Sequence, residues 1–199
     1  MLKRFFLALL MTTAVFALNA NEAALKQTIA DYYKAQAELD GDKSLSFCHK
    51  DFQTTSAQGK KLDYAQVKTI CKAMDIMKKI SGPDWTVLDF VELHALQQGK
   101  ELTPAERELY TTMNNDPTVR KQLEAIVKLA QVELNATQQK IAQANKTIKF
   151  ISVQINNDKA NVVYTMNDFA SGKLEKITAD YVKINGKWLV IKEVIRYVE

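Results

Sequence analysis

Apolar positions recur at three- and four-residue steps through the first three-quarters of the chain and at steps near two thereafter. The first run is Leu25, Ile29, Tyr32, Ala35 and Leu39, which predicts a helix over Asn21 to Leu39, stopped at Asp40-Gly41-Asp42. Ser44 to Lys50 predicts a short second helix carrying Leu45, Phe47 and Cys48. Phe52 to Ala57 reads as a polar strand, and Gln58-Gly59 as a turn. Helical period returns with Val67, Ile70, Cys71, Met74, Met77 and Ile80, ending at Ser81-Gly82-Pro83. A further helix is expected over Asp84 to Gln98, with Trp85, Leu88, Val91 and Ala95 on one side. Thr103-Pro104-Ala105-Glu106 spells a capping box with proline at the first helical position. Asp116-Pro117 opens the longest helix, which runs to about Asn145. At 1.5 Å per residue it would be roughly 45 Å long. Its apolar stripe is Val119, Leu123, Ile126, Ala130, Leu134, Thr137 and Ile141.

From Thr147 the period changes, and four strands are expected: Ile148–Ile155, Ala160–Phe169, Leu174–Ile184 and Lys187–Val198. Short turns separate them, and Asn185-Gly186 between alternating runs is a strong hairpin signal. The fold class is α+β, with N-terminal helices packed on a C-terminal antiparallel sheet.

Composition changes this picture at the N-terminus. Lys3 and Arg4 precede the apolar run Phe5 to Leu18, and Asn19-Ala20 closes it. That three-part pattern predicts a secretory signal peptide over residues 1–20, cleaved near Ala20, and a periplasmic product. The run is shorter than the ~20 residues a spanning helix needs, and no cysteine ends it for lipidation. No transmembrane segment is expected after cleavage. Residues 21–199 are then one α+β domain. Losing Lys3 and Arg4 lowers the formal charge from +4 to +2. That small surplus is spread along the chain, which argues against a nucleic-acid partner.

Cys48-His49-x-Asp51 is the one dense cluster of chemical side chains. On a helix its neighbours point about 100° apart, so no nucleophile–base pair forms. His49 and His94 are the only histidines, and no pair has metal-ligand spacing, so no metal and no cofactor are expected. The triplets beginning at Asn135 and Asn145 match the glycosylation pattern by chance.

Phe47, Asp51, Phe52 and Gly59 near the start, with Ala160, Gly186, Lys187 and Trp188 near the end, carry a resemblance. In that order they resemble the nuclear-transport-factor-2-like superfamily, which includes ketosteroid-isomerase-like and polyketide-cyclase-like domains. The resemblance covers residues 22–66 and 147–199, with 67–146 as a helical insertion. It implies a cystatin-like cone, a curved sheet wrapped around helices with an internal pocket. Tyr32, Tyr33, Thr54, Ser56, Asp168, Asp180 and Trp188 are the candidate pocket residues. The cone would also place the helices carrying Cys48 and Cys71 side by side. A disulfide between them is expected in an exported chain, with two buried free thiols as the alternative. The first strand, Gln53 to Gly59, lacks the carboxylate that ketosteroid-isomerase-like enzymes place there as general base.

Two function classes remain open. One is a non-catalytic binding module, using the cone for an apolar small molecule or lipid, or its helical insertion for a protein partner. The other is a small-molecule isomerase or dehydratase.

Overall fold

A computed structural model describes the backbone of residues 2–198, with side chains placed from Ala20 onward. The expected signal peptide lies outside the described residues but for its helical backbone and Ala20. Among the described residues, no helix is long and apolar enough to cross a membrane.

The first helix, α1 (Leu2–Ala37), buries Leu25, Ile29, Tyr32, Tyr33 and Ala35, a stripe at helical spacing. Leu39 leaves it with φ of 51°, and the chain turns into α2 (Gly41–Leu45). Asp40-Gly41-Asp42 therefore opens a helix instead of only closing one. Asp40 caps it by accepting the Lys43 N–H at 3.1 Å. Gly41 lets α2 lie directly on α3 (Tyr64–Ser81), because a Cβ there would fall 1.9 Å from the Cys71 carbonyl oxygen.

The short helix expected to reach Lys50 stops at Leu45, and Cys48 opens strand β1 (Cys48–Thr55). Tertiary pairing overrides local propensity here. The Val190 N–H donates to the Phe47 carbonyl at 2.9 Å, and Cys48 pairs in register with Val190. After β2 (Lys61–Asp63), α3 starts with a capping box between Asp63 and Gln66. Helix α4 (Val87–Gln97) starts three residues later than expected, because Thr86 and Asp89 form the box that defines its end. Trp85 thus precedes the helix, buried, with Arg120 lying 4.8 Å from its ring centroid. Helices α5 (Pro104–Met113) and α6 (Pro117–Asn145) begin at the expected caps, Thr103 and Asp116. Of the expected α6 stripe, Val119, Leu123, Ala130, Leu134, Thr137 and Ile141 are part-buried, and only Ile126 turns out, 52 % exposed beside Val127 at 1 %.

Strands β3 (Lys149–Asn156), β4 (Lys159–Asn167), β5 (Leu174–Ile184) and β6 (Lys187–Tyr197) follow as an antiparallel meander. Asn185 and Gly186 both take positive φ, 50° and 81°, as the tight hairpin requires. The six strands form one sheet in the order β2-β1-β6-β5-β4-β3. The four C-terminal strands are antiparallel as expected, and β1 joins them parallel to β6, so the six-stranded sheet as a whole is mixed. Register shifts in β1, β3 and β6 bend it, and the helices pack on the curved, unclosed result. Its inner face and α1 supply the core: Leu25, Ile29, Phe52, Val162, Tyr164, Ile177 and Val190 are all at most 1 % exposed.

Candidate functional site

The curve leaves a cavity of about 330 Å³ between the sheet, α1, α3 and the C-terminal end of α6. Apolar side chains dominate its wall, among them Phe52, Leu62, Val67, Met74, Ile141 and Ile195. Tyr32, Tyr33, Thr54, Ser56 and Asp168 also line it. Asp180 and Trp188 do not, which corrects their place among the candidates. On β5 the inward positions are Ile177, Ala179 and Tyr181, so alternation turns Asp180 outward, where Asn161 Nδ2 donates to it at 2.8 Å. Trp188 is 2 % exposed in the core beneath the Lys183 ammonium.

At the closed end stands a cluster no residue pattern announced. The Tyr33 and Tyr164 hydroxyls lie 2.9 Å apart, and Glu193 Oε1 is 3.3 Å from the first and 3.2 Å from the second. Thr54 Oγ1 donates to Oε2 of the same carboxyl at 3.5 Å. Burial pushes the Glu193 carboxyl above its ordinary range, against the pull of these hydroxyls. Either tyrosine hydroxyl can donate to the other or to the carboxyl oxygen, so the three groups form one shared hydrogen-bond cluster. The tyrosines are buried as well, and burial holds the Tyr33 and Tyr164 hydroxyls well above their usual value.

The strand phase explains why Glu193 escaped notice. Strict alternation from Trp188 and Val190 would turn Lys192 and Val194 inward and Glu193 outward. A bulge opposite Asp180 and Tyr181 reverses the phase after Val190 and swings Glu193 into the core.

Glu175 also lines the cavity. Burial, then the neighbouring charges of Asp168 and Glu193, push it up to about 7. Burial acts upward on Asp168 too, but hydrogen bonds from the Ser171 hydroxyl and the Ala170 and Ser171 N–H groups hold its carboxyl below the ordinary range. Two polar groups on the wall lack partners among the described residues: the Ser44 hydroxyl and Asn145 Oδ1. The amide nitrogen of Asn145 is committed to the Tyr33 carbonyl at 2.8 Å.

The expected disulfide is absent, and both thiols are free and buried. Cys48 sits on a strand and not on the helix face from which it was to reach Cys71. Its Sγ donates instead to the Ser44 carbonyl at 3.8 Å. Burial pushes the Cys48 thiol up to about 12 and that of Cys71 up to about 11, so both stay protonated and unreactive. His49 keeps to its own strand, where its Nδ1 accepts the Asp51 N–H at 3.2 Å. His94 lies on α4, within 2.8 Å of the Gln98 amide. A second, open groove of about 970 Å³ runs between α1 and α6 against Phe150 and Ile148. It carries no buried titratable group, and the chemistry lies in the smaller cavity.

No protein-family model matches the sequence, and comparison with curated proteins finds no match either. Among solved structures, the chain is similar to an NTF2-like protein of unknown function from Silicibacter pomeroyi. That match is 11 % identical at a TM-score of 0.47 and covers 91 % of this chain and 98 % of that one. It is also similar to an NTF2-like protein with a cystatin-like fold from Novosphingobium aromaticivorans, at 8 % identity and a TM-score of 0.47, covering 94 % of this chain and 88 % of that one. A Mycobacterium tuberculosis protein of unknown function matches at 9 % identity and a TM-score of 0.46, covering 93 % and 76 % of the two chains.

Proposed function

We propose that this protein is a periplasmic, non-catalytic binding module that holds a small apolar molecule in its cone. The observation that carries the reading is the cavity itself, apolar over most of its wall and ending in a polar cluster whose protons are all spent internally. Its volume falls at the small end of the roughly 300–1,000 Å³ usual for ligand sites. The basic, apolar and small-residue order of residues 1–20 supports export. Native mass spectrometry of protein purified from periplasm tests both parts. The expected spectrum shows a chain beginning at Asn21 with a co-purifying apolar ligand. A chain retaining Met1 in the cytoplasm would refute export, and failure to take up any apolar probe would refute the binding role.

One observation favours a small-molecule isomerase or dehydratase instead. Glu175 titrates near 7 on the cavity wall, in the range that suits a general base. The closed hydroxyl cluster opposes this, because it leaves no donor free to stabilise an oxyanion. Exchange of the α-protons of a bound enolisable ketone with D2O, lost in Glu175→Gln, would decide for catalysis.

For a protein partner, the helical segment offers Ile126, Leu129 and Val132, which are 52 %, 70 % and 67 % exposed along α6.

A further inference from the structure

We infer that the molecule held in the cone is a cationic amphiphile, an apolar body carrying one amine. This rests on the cavity being a ligand site at all, and it follows from what the wall lacks. Asp168, Glu175 and Glu193 all line the cavity, and no lysine, arginine or histidine does. None of the three carboxyls is in an ion pair among the described residues. Lys173, beside them in sequence, rests its ammonium on the Tyr197 ring at 5.2 Å.

Hydrogen-bond accounting points the same way, independently of charge. The Tyr33, Tyr164 and Thr54 hydroxyls all spend their protons on Glu193 or on one another. Asn145 donates one amide N–H to a backbone carbonyl, while its Oδ1 is buried with a free lone pair. The Ser44 hydroxyl, on a residue 1 % exposed, also faces the wall unpartnered and can accept. The wall thus carries buried acceptors that nothing among the described residues meets. A buried acceptor left unmet costs about 1–3 kcal/mol, and an alkylammonium group supplies three N–H donors and the missing positive charge.

Glu175 is the natural counter-ion. It faces Asp168 from the β4–β5 turn and Glu193 from β6, and it pairs in register with Met166 of β4 and Tyr197 of β6. Among the described residues no salt bridge reaches these carboxyls. When an ammonium enters, Glu175 gives up its proton to solvent and the ion pair takes its place, so binding near neutral pH releases a proton.

The test uses three probes of equal length on the full mature chain: octylamine, 1-octanol and octanoate, titrated by calorimetry at pH 7. Octylamine should bind at least tenfold tighter than octanol, octanoate should be weakest, and proton release should appear when buffers of different ionisation enthalpy are compared. In Glu175→Gln the amine's advantage should shrink to about twofold, while octanol binds as before. Asp168→Asn, on the rim, should cause a smaller loss of the same sign. Octanol binding as tightly as octylamine, octanoate binding tightest, or amine binding without proton release would overturn the inference and leave the apolar cavity standing. Failure of all three probes to bind would overturn the ligand-site reading together with it.

Discussion

Burial among two tyrosines raises the Glu193 carboxyl, because ionising it would leave a charge enclosed in the core. Its carboxyl and that of Glu175 are both raised on folding. The sign follows directly. The folded state holds protons that the unfolded chain releases near pH 4.5, so this stability is complete below that pH and fades as pH rises toward the folded values. For Glu175 the window closes near pH 7. Its share is on the order of 1 kcal/mol once solvent screening of a partly exposed group is discounted. Asp40, Glu92, Glu106 and Asp168 are shifted the other way and act only on acidification below about pH 4. Urea unfolding should therefore show wild type losing stability between pH 5 and pH 8. Glu193→Gln should flatten part of that slope, and Glu193→Ala should cost about 2–3 kcal/mol by leaving both tyrosines short of an acceptor. An unchanged slope in Glu193→Gln would show that the carboxyl is ionised in the fold.

Among elements, the contact of α2 with α3 depends on one hydrogen atom. Gly41 sits against the Cys71 carbonyl and donates its N–H to Asp75 Oδ1 at 2.7 Å. Gly41→Ala should destabilise by about 2–3 kcal/mol through overpacking, despite alanine's better helix propensity, and thermal unfolding would measure it. A gain in stability would mean that the two helices part easily. Helix α6 gives a paired test of which face is buried. Val127→Ala should cost about 1–2 kcal/mol, whereas Leu129→Ala should stay within about 0.5 kcal/mol. These elements also mark what the sequence could convey. Caps at Asp63, Thr103 and Asp116, and the hairpin at Asn185-Gly186, are local signals, and the chain obeys them. Cys48 was misplaced and Glu193 overlooked because each is positioned by a neighbouring strand: Cys48 by pairing with β6, Glu193 by a bulge against β5. Neither pairing leaves a mark in its own ten-residue window. The α6 stripe holds at six of its seven positions, all part-buried, and misses only at Ile126, where Val127 turns inward instead.

Across the whole molecule, burial is uneven. Helix α5 has no buried residue and α6 buries only Val127 and Ala144, while Val162, Tyr164 and Ile177 on the central strands are fully enclosed. Stability should follow that division. In native-state hydrogen exchange, amides of α5 and the first half of α6 should open locally at low cost, and those of β4 and β5 only with global unfolding. Uniform protection across the chain would count against this division.

The parallel pairing of β1 with β6 also sets a clock. Cys48 waits for Val190, about 140 residues downstream. At the roughly 5–20 residues per second of synthesis, the first strand spends on the order of ten seconds without the neighbour that completes it. Nothing between them can close the sheet early, since β6 is also what β5 lies against. The six-stranded sheet therefore cannot be completed until its final strand has been made.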